Sequence, residues 1–264
     1  MTTTALSSDV PARGVTTGVV RLVDMILPGD TNHHGTLFGG VALAHMDKVA
    51  FLAAARHGRA PFVTAASERI DFLAPALKGE LIEATGRIVR VGNSALDVEV
   101  TLVAEALLSG ERRLCTRGHF TLVAVKGPGT RLPLPSLPGE TREPPATELH
   151  MADIVFPPQT NHYGTLFGGD ALRMLGKAAF IAATRHARAV MVMAASDRID
   201  FRSPVREGEM TEMIARVIAT GRSSVRIGVE LWAEDLLTGE RRRAATAQFV
   251  MVAVDRDGRP LAIG

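Results

Sequence analysis

Asp47 lies in an apolar helical stretch, with Leu43 about one turn before it and Ala50 and Phe51 about one turn after. A carboxylate among apolar neighbours is costly to bury unless it is paired or put to use, and desolvation raises its pKa towards the range of a catalytic acid or base. The competing reading pairs Asp47 with Lys48, Arg56 or another basic group at the helix rim. Upstream runs Thr31-Asn32-His33-His34-Gly35-Thr36-Leu37-Phe38-Gly39-Gly40. Asn32 could orient water or a carbonyl, and His33 could shuttle protons. Gly39 and Gly40 open a helix, so their backbone N–H groups face outward with the positive end of the dipole behind them, a place for an oxyanion. The plainer reading of this segment is turn chemistry and a helix start.

The whole arrangement occurs twice. Residues 30–126 match residues 159–255 without a gap, at the offset that separates Asn32 from Asn161, with about half the positions identical. Asn161, His162, Gly168 and Gly169 repeat the loop, but Gly176 stands where the first copy has Asp47. One of two equivalent sites can lose a catalytic group more easily than a structural pair. Gly39 and Asp47 are eight residues apart on one helix, hence about 12 Å along its axis, too far for a carboxylate to act on a carbonyl held at the glycines. The partners must come from different copies. Asp47 is expected to face Asn161, His162, Gly168 and Gly169. The reciprocal set of Asn32, His33, Gly39 and Gly40 would face Gly176 and lack its acid, leaving one working site per chain.

The elements that position these residues follow the same order in each copy. A short strand is expected near 17–26 and 148–156, then a loop with Pro and Gly, then a helix over about 40–57 and 169–186, rich in Ala and Leu and free of proline. Strands follow at 63–73, 81–91, 95–105 and 112–125, with Val98, Val100 and Leu102 alternating with polar residues. Turn signals at Lys78-Gly79, Gly92-Asn93-Ser94 and Ser109-Gly110 separate them. Hairpin connections would make the sheet antiparallel, and a nearly all-apolar helix must be buried, so an α+β subdomain with a sheet curled round one central helix is expected. Residues 17–126 and 148–264 would form the two subdomains. Six of the chain's 14 prolines fall in 127–147, which reads as an extended linker, and 1–16 reads as a disordered tail.

Bulk properties narrow the function classes. At 264 residues the chain can hold two domains with separate cores, and 46% hydrophobic with 22% charged residues is ordinary for a globular protein. A net charge of +2 gives no case for a nucleic-acid partner. Cys115 stands alone, with Ala244 as its counterpart, so a disulfide framework is excluded and the thiol reads as a small apolar filler on a strand. Metal-ligand spacing, a phosphate loop and a nucleophile elbow are all missing from the sequence. No apolar run approaches the roughly 20 residues that span a bilayer, and residues 1–14 carry no secretory pattern, so a cytoplasmic location is expected.

The pattern Pro-x-x-Thr-Asn-x-x-Gly-x-x-Phe-Gly-Gly, followed by Met46-Asp47, resembles the hotdog-fold acyl-CoA thioesterases. So do Gly221-Arg222-Ser223-Ser224-Val225, Val229-Glu230-Leu231-Trp232 and the closing Phe249 to Asp255. The resemblance spans both copies and implies a tandem double-hotdog enzyme that hydrolyses acyl-CoA to fatty acid and CoA without a further cofactor. It also implies that the helix acid of one hotdog works with the loop Asn of the other, and that chains assemble as homo-oligomers, most simply trimers. Departures stand at Gly176 and at Gln159, which replaces Asp30; Asp170, six residues before Gly176, is expected to serve the helix N-terminus. For the CoA phosphates, the hairpins with Asn93 and Ser94 and with Gly221, Arg222 and Ser223 offer donors, though such turns also need no ligand. Arg56, His57 and Arg59, like Arg185, His186 and Arg188, read as complements to a helix C-terminal dipole. Two other readings stay open: a hydratase or dehydratase using His162 with Asp47, and a non-catalytic acyl-CoA-binding module.

Overall fold

The computed structural model describes residues 19–127, 130–137, 147–197 and 199–263. The expected tail at 1–16 and the later part of the linker, 138–146, lie outside the described residues. In the first repeat, β1 (Val19–Met25) leads through a 3-10 turn at Pro28–Asp30 to α1 (Gly39–Gly58). Then come β2 (Phe62–Ser67), β3 (Asp71–Phe72), β4 (Leu81–Val91), β5 (Ala95–Glu105) and β6 (Arg112–Gly127). A two-residue β7 (Thr130–Arg131) follows. The second repeat runs β8 (Leu149–Ile154), a 3-10 turn at Pro157–Gln159, α2 (Gly168–Ala187), β9 (Met191–Ser196), β10 (Asp200–Phe201), β11 (Met210–Thr220), β12 (Ser224–Glu234) and β13 (Arg241–Ala253).

Each sheet is antiparallel and wraps its own helix. The first has the order β1-β4-β5-β6-β2 and the second β10-β13-β12-β11-β8, with β9 also on β13. The alternation in the sequence does the positioning. Leu96, Val98, Val100, Leu102 and Ala104 of β5 are all buried against α1, whose Met46, Val49 and Leu52 are fully buried. Gly86 on β4 allows the helix to come close, because a Cβ there would stand 2.7 Å from Cγ1 of Val49. In the second repeat the methyl groups are traded: Ala215 replaces Gly86 and Ala178 replaces Val49. The single strand expected over 63–73 is two strands, since residues 68–70 leave the ladder between β2 and β3 while both pair with β6.

The two repeats share a seam rather than standing as separate units. Ala152, Ile154, Met210 and Leu236 of the second repeat belong to the first core, and Val23 and Leu81 of the first belong to the second. Edge strands β1 and β8 lie against each other, but among the described residues no backbone ladder joins the two sheets, so the sheets meet as an abutment of two edges.

Charge pairs close the seam with two-fold pseudosymmetry. Arg56 and Arg59 reach Glu234 at 2.9 and 2.7 Å; Arg185 and Arg188 reach Glu105 at 2.7 and 2.9 Å. Lys48 meets Asp153 at 3.0 Å and Lys177 meets Asp24 at 2.6 Å. The basic helix ends therefore cross between repeats instead of only complementing a dipole. Arg59 and Arg188 hold left-handed backbone, φ 47° and 48°, where glycine is the easier residue. Their side chains lie over Gly239 and Gly110, where a Cβ would stand 2.9 and 2.8 Å from the guanidinium carbon.

The first part of the linker is folded onto the first repeat. β7 pairs with β6, Leu132 and Leu134 pack on the first core, and Leu134 N–H bonds the Asn93 carbonyl at 2.8 Å. The C-terminal segment repeats this strap, with Ile263 N–H bonding the Arg222 carbonyl at 2.8 Å. Cys115 is a buried, free thiol on β6, and burial pushes its pKa up. No helix of the described residues is long and apolar enough to cross a membrane.

Candidate active site

Asp47 sits midway along α1, half-buried, and accepts a hydrogen bond from the Thr64 hydroxyl of β2 at 2.7 Å. The ion pair that would make it structural is not formed. Lys48 goes to Asp153, and Arg56 goes to Glu234 at 2.9 Å and Glu212 at 3.7 Å. Among the described residues the carboxylate has a neutral hydroxyl as its partner, leaving one oxygen open for water or a reacting proton.

The counterpart positions changed together. Thr64 corresponds to Met193, as Asp47 does to Gly176, and the Cε of Met193 lies 3.1 Å from where a Cβ on Gly176 would stand. His45, whose buried Nδ1 has no partner among the described residues, corresponds to Met174. Burial holds the His45 pKa below its ordinary value, against the pull of Asp24. Three polar groups around the first helix thus become two methionines and a glycine in the second. Sequence reasoning found Asp47 but missed Thr64; the signal lay in the Thr/Met mismatch that accompanies the Asp/Gly one.

The loops before the helices are built by their Asn side chains. Asn161 Oδ1 accepts N–H groups of Tyr163 at 2.9 Å and Thr165 at 3.3 Å, while its Nδ2 donates to Thr165 Oγ1 at 3.0 Å. Asn32 does the same with His34 and Thr36. Among the described residues each amide therefore keeps one N–H for a ligand. The replacement of Asp30 by Gln159 is neutral for the loop, because each accepts the N–H of the residue three before it, Leu27 or Phe156, at 2.9 Å. His33 and His162 are exposed, their rings tilted against those of His34 and Tyr163 with centroids 3.8 and 3.9 Å apart.

Neither helix start has a side-chain cap, so the first-turn N–H groups at Gly39–Gly40 and Gly168–Gly169 are unspent. A Cβ on Gly40 or Gly169 would collide with the ring of Phe38 or Phe167, at 2.8 and 2.7 Å, whereas Gly168 faces open space. A cavity of about 300 Å³ opens at Gly168, lined by Leu166, Ala171, Phe201, Val205 and Leu231. A twin of about 320 Å³ opens at Gly39. Asp170 takes Arg173 at 2.6 Å within the first turn of α2.

The seam sets which helix meets which loop. Lys48, next to Asp47, contacts Asp153 and lies 5.5 Å from the Phe156 ring centre, at the entrance to the loop that carries Asn161. Lys177, next to Gly176, contacts Asp24 at the corresponding place before Asn32. The hairpin residues offered for CoA are more committed than their types suggested. The Asn93 and Ser94 carbonyls bond Leu134 and Ala124 N–H groups, and Ser94 is buried. The Arg222 and Ser223 carbonyls bond Ile263 and Ala253, and Gly221 N–H bonds the Ser224 carbonyl. The exposed Arg222 side chain remains available.

Residues 34–109 and 163–240 match the family model described as the thioesterase superfamily. A solved structure of an acyl-CoA hydrolase from Agrobacterium tumefaciens is 49% identical, with a TM-score of 0.85 over 93% of this chain and 98% of that one. An uncharacterized acyl-CoA thioester hydrolase of Bacillus subtilis is 37% identical over 118 residues, 45% of this chain and 69% of its own. The cytosolic acyl coenzyme A thioester hydrolase of Rattus norvegicus is 25% identical over 283 residues, 89% of this chain and 74% of its own.

Proposed function

Because the chain belongs to the thioesterase superfamily, we propose that it hydrolyses acyl-CoA to a fatty acid and CoA at one site, where Asp47 and Thr64 of the first repeat meet the Asn161 loop of the second. The observation that carries this reading is the Asp47 carboxylate, held by a hydroxyl and, among the described residues, by no cation. The Gly168 and Gly169 N–H groups polarise the thioester carbonyl, and the free Asn161 amide N–H holds the attacking water or the thioester. The cavity at Gly168 takes the acyl chain. Asp47 accepts a proton from water as its oxygen bonds to the carbonyl carbon. The carbon–sulfur bond then breaks, and the proton passes to the CoA sulfur. Direct attack by Asp47 is the alternative, and single-turnover hydrolysis in labelled water separates the two. Direct attack would first place an oxygen of the enzyme carboxylate in the acid.

This chemistry needs water and no further cofactor. Arg222 with Gly221 and Ser223, and Asn93 with Ser94, are proposed to meet the CoA phosphates. The reciprocal set of Asn32, His33, Gly39 and Gly40 with Gly176 is proposed to be hydrolytically silent. The exposed His162 ring, tilted against Tyr163, does not favour the hydratase reading, which needs that ring beside Asp47. The test is thiol release across acyl-CoA lengths. Asp47→Asn and Asn161→Ala should each lower turnover, Asp47→Asn by on the order of 10²–10⁴-fold. Asn32→Ala should matter much less, and equal losses from the two Asn variants in folded protein would overturn the one-site model.

Assembly as trimers is proposed from exposed Phe38, Phe72, Phe167 and Phe201, two on each repeat. Light scattering should give three times the 28.1 kDa chain mass, and a monomeric mass at micromolar concentration rules it out. A cytoplasmic location is part of the same proposal.

A further inference from the structure

The seam beside the silent helix holds an open, mostly apolar cavity of about 510 Å³ outside the proposed catalytic set. It lies between α2 and the first repeat's turns at 77–80 and 106–109, lined by Leu77, Leu107, Leu108, Phe180, Val190 and Met191. Gly176, Phe180 and Thr184 follow one another at four-residue steps and so share a stripe of α2, and Met193 lies over Gly176 two residues beyond Met191 on β9. The apolar lining therefore runs on from the position where the acid was lost. This volume is within the roughly 300–1,000 Å³ range of small-molecule sites.

Three differences between the repeats say what kind of molecule fits. Thr184 lines the cavity, is 1% exposed, and its hydroxyl has no hydrogen-bond partner among the described residues. Its counterpart in the first helix is Ala55, so this hydroxyl is an addition to an apolar wall, and an unpaired buried hydroxyl is a cost without a partner. Lys78 on the lining corresponds to Glu207, and Ala106 corresponds to Asp235. The seam at Asp47 thus has two acidic groups, partly offset by Arg206, where this one has Lys78, Ala106 and Leu77; Glu80 of the lining is engaged by Arg113, which leaves this lining the less acidic of the two. Finally, Leu236 is buried in the first core, whereas its counterpart Leu107 is only half-buried at the cavity wall.

We infer that this second seam is a non-hydrolytic binding site for a fatty acyl chain, whose carbonyl or carboxylate oxygen accepts the hydrogen bond of the Thr184 hydroxyl. The ligand class rests on the thioesterase reading, while the site itself rests on the cavity and the unpartnered hydroxyl. Gly176, Met193 and Met174 stand where the first repeat has Asp47, Thr64 and His45, so the stripe that leads to this cavity carries no counterpart of that acid. The flexible thioethers of the methionines suit chains of differing length. The source is a free fatty acid or an acyl group still joined to CoA.

The test uses the full chain carrying Asp47→Asn, labelled with ¹³C at the methionine methyls, titrated separately with decanoate and with decanoyl-CoA. The expected result is a saturable shift of the Met191 and Met193 signals with little change at Met46. Movement with decanoate assigns the free acid, and movement with decanoyl-CoA alone assigns the CoA-linked chain. Thr184→Val, which keeps the side-chain shape, should weaken the binding about five- to tenfold. No shift with either probe, or unchanged affinity in Thr184→Val, overturns the inference. Failure of the thioesterase reading would look different: no thiol release by the unaltered chain, whatever the methionine signals do.

Discussion

At the scale of single residues, the site is defined by a pair of side chains and by the pair that replaced them. Thr64 directs its hydroxyl to one oxygen of Asp47, so Thr64→Val should reduce thioester turnover by about tenfold, through kcat more than KM, with an unchanged melting temperature. The second helix gives a sharper expectation. Gly176→Asp alone should not create a second active site, because the new side chain would enter the space of Met193 and find no hydroxyl. Gly176→Asp with Met193→Thr should raise turnover per chain in a protein already carrying Asp47→Asn, measured by thiol release. Equal activity of the single and double variants would show that Thr64 has no part in holding the acid. Asp47 was legible because a charge in an apolar helix is costly and because its copy is missing. Thr64 was not, since Val63-Thr64-Ala65-Ala66 reads locally as ordinary strand, and its meaning appears only once the fold sets β2 beside α1.

At the scale of elements, helices and long strands were readable to within a residue or two. Periodicity and glycine or proline punctuation act over the same short range that defines them. What the local pattern could not carry was contact between distant segments. The run over 63–73 has unbroken strand composition, yet it must serve β6 in two separate stretches and breaks at 68–70. The basic helix ends looked like dipole partners because their true partners, Glu234 and Glu105, are far along the chain and in the other repeat. These pairs are the ones with energetic weight. Glu234 is 6% exposed and Arg56 13% exposed, so Arg56→Leu should cost about 3 kcal/mol in urea unfolding by leaving a buried carboxylate short of a partner. The Arg90–Asp97 pair makes a useful contrast at 72% and 18% exposure. Arg90→Ala should cost less than about 1 kcal/mol, because solvent already screens the arginine. A larger cost for Arg90→Ala than for Arg56→Leu would reject this ranking.

At the scale of the whole molecule, the shared seam makes the two repeats one cooperative structure, and its charges give that structure a pH dependence. Burial pushes the Glu212 carboxyl up, but the hydrogen bond with His150 and the guanidinium charges of Arg56 and Arg241 outweigh it and hold the pKa down to about 2. A carboxylate depressed in the fold contributes stability that is complete above its ordinary pKa of 4.5 and is lost as pH falls towards 2. His150 works with the opposite sign. Burial lowers its pKa, yet Glu212 and Glu148 raise it further, so its contribution is present below 6.5 and fades as pH rises through the raised value. The unmodified chain should therefore lose on the order of 2–3 kcal/mol from Glu212 alone between pH 5 and pH 2, read from urea midpoints at constant ionic strength. Glu212→Gln should be less stable at pH 6 and should show a shallower decline on the acid side, because the titrating group is gone while Arg56 and His150 stay. A variant that declines as steeply as the unmodified chain between pH 5 and pH 2 would place the acid sensitivity outside the seam. The prime suspect would then be Glu83, the seam carboxylate of the first repeat, which Arg112 and Arg185 hold down against the opposing effect of its burial.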